Sequence, residues 1–226
     1  MAPALAASLV FIGFGLFVLF LLKLVAAQSR KAHQHFTALA QRLGLTPRPV
    51  QPKFGGFWPQ GEATGLLRGK PARLYGYTTG SGKSRTVWSA LSIQPHEHGG
   101  LTFSLTPQGI GSKFAELFGA REINVGDPAF DKAWFIQTNR PEFFAAAFLP
   151  ELRARLTAAF HNRPHPRQPS LKLDGSHIVY VEAGDFNSDA RRDRFVHVSE
   201  VLCDLADVAE VFAQTTSRTK ASKRAP

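Results

Sequence analysis

Hydrophobic and polar positions change their period along this chain, and each period predicts a different element. From Ala2 to Leu22 no charged side chain occurs and Ala, Leu, Val, Ile and Phe dominate. A helix of roughly 20 such residues spans about 30 Å, the thickness of a bilayer's hydrocarbon core. Phe36, Leu39, Ala40 and Leu43 then fall at i, i+3, i+4 and i+7, an apolar stripe that continues the helix to about Leu43, with Gly44 as its stop. Residues 44–61 hold four prolines and four glycines and predict a linker.

Beyond the linker the alternation becomes that of strands. Ala63–Leu67 and Ala72–Thr79 flank the turn Arg68-Gly69-Lys70-Pro71, Gly80–Ser84 turns the chain into Arg85–Ile93, and Leu101–Thr106 follows Gly99-Gly100. A short helix is expected over Ser112–Phe118, a strand over Phe130–Gln137, and a helix from Pro141 to about Phe160, bent or broken at Pro150. Two strands about Asp174-Gly175 precede a last helix over roughly Arg192–Gln214, whose core face is Val198, Val201, Leu202, Leu205, Val208, Ala209 and Phe212. Tight turns between neighbouring strands imply an antiparallel sheet, and the helices come in blocks, so the class is α+β. The expected organisation is a transmembrane anchor over 1–28, a basic juxtamembrane helix and linker over 29–53, an α+β cytoplasmic domain over 54–214 and a disordered basic tail over 215–226.

Charge adds an orientation. The first 22 residues carry no Lys or Arg, and the apolar run exceeds that of a cleaved secretory signal, the rival reading with Val25-Ala26-Ala27 as its cleavage site. Residues 23–53 hold six cations and no acid, so the positive-inside rule places the domain in the cytoplasm, at the inner membrane. A lone cysteine, Cys203, is consistent with that compartment. The formal net charge is +10, yet residues 54–214 carry 17 basic and 17 acidic side chains. The excess lies in the flanks, on Lys23, Arg30, Lys31 and Arg42 near the span and on Arg218, Lys220, Lys223 and Arg224 in the tail. A neutral fold with basic flanks argues against nucleic acid as a partner and for anionic lipid headgroups.

Motifs for chemistry fail on their context. Gly80-Ser81-Gly82-Lys83-Ser84 ends like a phosphate-binding loop, but that loop needs glycine where Tyr77 stands, and a helix where Arg85-Thr86-Val87-Trp88 has strand pattern. Asp185-Phe186-Asn187-Ser188-Asp189 has calcium-loop spacing, with Ala190 and Val196 at the positions that need Gly and Glu. His96 and His98, and His161 and His165, are loop pairs without the further ligands a zinc site requires. No cofactor is implied. An enzymatic or phosphate-binding alternative rests on Lys83, Asp127 and Asp131 converging on one pocket.

The stretch Gly126-Asp127-Pro128-Ala129-Phe130-Asp131-Lys132-Ala133-Trp134-Phe135-Ile136 resembles a G-D-x-x-F-D-x-x-F segment found in a loose group of bacterial single-span, membrane-anchored proteins. Here Phe135 lies one position beyond the usual Phe. The resemblance implies a shared fold and a membrane anchor, and no established activity comes with it. The leading expectation is a non-catalytic module at the membrane that binds a protein partner or anionic lipid.

Overall fold

The computed structural model describes residues 2–53, 58–107, 123–160 and 170–222. The helix expected over Ser112–Phe118 and the histidines 161 and 165 lie outside them.

One helix, α1 (Ala2–Arg42), runs without a break from the apolar segment into the domain. Phe14, Leu16, Phe17 and Phe20 are exposed on its first half, whereas Phe36, Leu39 and Ala40 are buried on its second. It is long and apolar enough to cross a membrane. Gly44, at φ +68, ends it. The Leu45 amide donates to the Ala40 carbonyl and the Gly44 amide to that of Gln41, a glycine-closed end that satisfies the last carbonyls. Thr46–Pro47 forms β1 and pairs with the next strand, which ties the end of α1 directly to the sheet.

The remaining strands are β2 (Glu62–Leu67), β3 (Lys70–Thr79), β4 (Thr86–Ile93), β5 (Phe103–Pro107), β6 (Trp134–Thr138), β7 (Ser170–Asp174) and β8 (His177–Ala183). Among the described residues they make one antiparallel sheet in the order β1-β2-β3-β4-β8-β7-β5-β6. Helices α2 (Pro128–Ala133), α3 (Pro141–Ala147), α4 (Pro150–Phe160) and α5 (Asp189–Ser222) are the other helices among the described residues, so the class is α+β. Inward positions alternate along each strand, as in Leu74, Leu91, Ile93, Ile178, Tyr180, Leu171 and Leu105. They meet Phe195, Val198, Leu202, Leu205 and Ala209 of α5, together with the buried residues of α1 and α4. The end of α1 therefore belongs to the domain's core.

Two local expectations give way. Phe130–Gln137 is not a single strand, because the Asp127 carboxylate accepts from the amides of Ala129 and Phe130, and Pro128 fits the first helical position. That cap forces one and a half turns of helix before β6 starts at Trp134. The last helix also runs on to Ser222, so residues 215–222 are helical instead of a disordered tail.

Candidate functional site

Two charge clusters fix α5 on the sheet, and together with α1 they set which end of the domain lies towards the apolar segment. Glu182 occupies an inward position at the end of β8. It accepts from Arg191, from Arg194 at 2.8 and 3.2 Å and from the Tyr180 hydroxyl at 2.6 Å. Arg191 also donates to the carbonyls of Asp185 and Ala183. Burial alone would raise the Glu182 carboxyl, but the hydrogen bonds from Arg194 and Tyr180 and the two guanidinium charges hold it below its ordinary value. Near the middle of α5, Arg68 pairs with Asp204 and Asp207, while Lys70 reaches Asp207 at 2.6 Å and Glu210 at 3.5 Å.

These pairings give a direction. His35 of α1 meets Asp189, and Arg42 meets Asp193 at 2.6 Å, so α5 begins beside α1 and runs the same way, away from the span. Strand β3 agrees: its Lys70 end lies at the middle of α5, and its other end lies beside α1. Asp189 to Asp207 is eighteen helical steps, about 27 Å. Arg42 pairs with Asp193 on the domain. Arg218 and Lys220 fall in the last turns of α5. Lys223 and Arg224 lie outside the described residues. Lys23, Arg30 and Lys31 are exposed on α1.

At the near end a groove of about 350 Å³ opens between α1, the Trp58–Gly61 segment and the turn end of the β3–β4 hairpin. Val25, Ser29, Ala32, His33 and Phe36 form its helical wall, and Trp58, Val87, Trp88 and Phe186 face them. Several contacts shape it. The Trp58 amide donates to the Ser29 hydroxyl at 3.3 Å, and the Trp58 ring stacks on His33 at 4.2 Å between centroids. Gln60 Nε2 donates to the Tyr77 carbonyl at 3.2 Å. A side chain on Gly61 would lie 2.3 Å from the Phe36 ring, so only glycine lets this segment lie flat on α1. From Gln60 to Trp58 the segment thus climbs from Tyr77 towards Ser29. The hairpin tip carries exposed Lys83 and Arg85, and Arg85 lines the groove.

On the face opposite the helices a shallower depression of about 530 Å³ is lined by Thr64, Arg73, Tyr75, Ser92, Lys172 and His177. Thr64, Arg73, Ser92, Val179, Lys172, Ser104 and Gln137 are successive cross-strand partners in one row. Arg73 is held by Glu62 at 2.7 Å and lies over the Tyr75 ring.

The alternative chemical residues do not meet. Lys83 sits in the β3–β4 turn, whereas Asp127 and Asp131 flank β6, four strand spacings beyond β4, or about 19 Å. Asp127 caps α2 and lies 3.5 Å from Arg153, and Asp131 accepts from the Val125 amide. His96 and His98 stand in the turn before β5, where the His96 amide donates to Glu210. Among the described residues no cluster of His, Cys, Asp and Glu could hold a metal ion. Cys203 is buried, and burial pushes its thiol up to about 11, with the charges of Arg68 and Lys70 pulling only weakly against it. Sequence reasoning placed His33 near the membrane interface but missed Trp58, Trp88 and Arg85. The available signal was tryptophan close in sequence to a basic membrane flank.

The chain matches no protein-family model and no curated protein. Among solved structures, the crystal structure of the mycobacterial trehalose monomycolate transport factor A, TtfA, is similar at 10% identity and a TM-score of 0.44, covering 79% of this chain and 94% of that one. A likeness at that level leaves function to be argued from the residues.

Proposed function

We propose that this protein is a non-catalytic module fixed against the cytoplasmic face of a bacterial inner membrane, where it engages anionic lipid. One observation carries the reading. The helix that offers exposed Phe14, Phe17 and Phe20 to a bilayer is the same helix that buries Phe36, Leu39 and Ala40 in the domain. With no flexible joint between them, the domain is held at a set height and orientation to the membrane. Lys23, Arg30 and Lys31 then lie where headgroups are, and each exposed cation near an anionic surface contributes about 1 kcal/mol. Their position on the domain side of the apolar run supports the cytoplasmic orientation. A protein partner would have the sheet's open face to dock on, but no feature there selects an occupant.

The test is protease protection of a C-terminally tagged protein in spheroplasts and in inverted inner-membrane vesicles. Cleavage of the tag in inverted vesicles alone is expected. Cleavage in intact spheroplasts would reverse the orientation and remove the anionic-lipid argument with it.

A further inference from the structure

We infer that the groove beside α1 holds one anionic phospholipid of the surrounding leaflet, its acyl chain against the apolar wall and its phosphate against Arg85 and Lys83. This rests on the membrane placement proposed above and assigns it a discrete site. Three observations lead to it.

The first is continuity. Val25, which lines the groove, lies two residues past Lys23, at the end of the apolar run, so a lipid chain next to the span can enter without crossing water. The second is lining. At about 350 Å³ the space falls in the range of small-ligand sites, and its walls are mainly apolar or aromatic with few polar groups, the pattern of such sites. The third is charge. Arg85 lines the groove and Lys83 stands two residues away in the same tip, both exposed, while Asp185 is the one carboxylate among the described lining residues. The hairpin that imitated a phosphate loop in sequence thus offers cations at the groove's mouth, without the helix a nucleotide would need.

The experiment uses the full chain in nanodiscs that contain a trace of anionic phospholipid with a photoreactive diazirine on its acyl chain. After irradiation, labelled peptides are mapped by mass spectrometry. Label is expected on the span and, in addition, on the peptides carrying Trp58–Gly61 and Val87–Ser89. In the Lys83→Gln/Arg85→Gln double variant, whose changes are solvent-exposed, groove label should fall about tenfold while span label stays constant. Ala32→Trp, which fills the groove, should do the same. Span label without groove label overturns the site and leaves the membrane placement standing. Groove label that is equal with a zwitterionic probe and indifferent to the double variant overturns the phosphate role. Loss of both labels overturns the membrane placement itself.

Discussion

Helix α5 is gripped by charge at two places, and the two grips differ in almost every physical respect. At its start one carboxylate, Glu182, faces two guanidinium groups, and the side chains of all three are 6–7% exposed. Near its middle Arg68, Lys70 and Arg155 face Asp204, Asp207 and Glu210, and Arg68 and Arg155 are about half exposed. The first cluster has one more cation than anions, and backbone carbonyls take up the surplus donors. It is a buried joint in which every member is specified by the others. The second is balanced in charge, and water reaches Arg68, Arg155 and Asp207 while Lys70 is buried beneath them. The joint sits at the corner that places Asp185 and Phe186 on the groove wall, so the end nearest the apolar half of α1 is the end whose geometry is fixed most strictly.

Removing the acid from the joint should do the most damage. Glu182→Ala leaves two buried guanidinium groups without their partner, a loss of about 3–5 kcal/mol, and chemical denaturation of the purified protein should show it. The pH dependence has a definite sign. Because the folded Glu182 value is depressed, its contribution is complete above the unfolded value of 4.5 and disappears as pH falls through the folded one. Wild type should therefore lose stability on acidification in a window below pH 4.5 that the variant lacks. Equal acid sensitivity in both would show that the joint is not where the acid response originates.

A smaller effect is expected from Gly184→Ala. The residue has φ +105, and an added methyl would lie 2.6 Å from the Arg191 guanidinium. Strain and a displaced buried arginine together predict a loss of about 1–3 kcal/mol. Thermal melts should show this loss unchanged by salt. The least effect belongs to the surface network. Arg68→Ala should cost about 1 kcal/mol or less, and the difference should shrink further at high salt. An Arg68 effect as large as that of Glu182 would erase the distinction between the two grips.

Much of this architecture is legible in the residue pattern, and the failures have specific causes. The span shows because charge is absent over a membrane's thickness. The β2–β3–β4 hairpins show because their turn residues sit between alternating runs. Helix α2 was hidden by Phe130, Trp134 and Phe135, whose strand-like aromatic pattern is overruled by the Asp127 cap and Pro128. The end of α5 was hidden because Arg218, Lys220 and Ala221 follow a polar stretch. Once the packed part of a helix exists, such residues extend it cheaply, since propagation lacks the cost of nucleation. Strand β1 is two residues long and pairs across a proline-rich stretch, below any local signal. The joint left one trace: Glu182 stands at the inward phase of Ile178 and Tyr180, where an unpaired carboxylate would not be tolerated. The groove left almost none, because its walls come from segments more than a hundred residues apart.

The unbroken α1 also makes the angular setting of the domain a matter of helical phase. Each residue turns the helix by about 100° and advances it 1.5 Å. One residue inserted between Val25 and Phe36 would therefore turn the domain relative to the apolar segment by more than a quarter turn, with hardly any change in height. Four inserted residues would bring it back to within about 40° of its original bearing, some 6 Å further along the helix axis. The number of residues between the last exposed apolar side chain and the first core side chain thus works as a dial. In the placement proposed above, its setting fixes which side of the domain meets the headgroups.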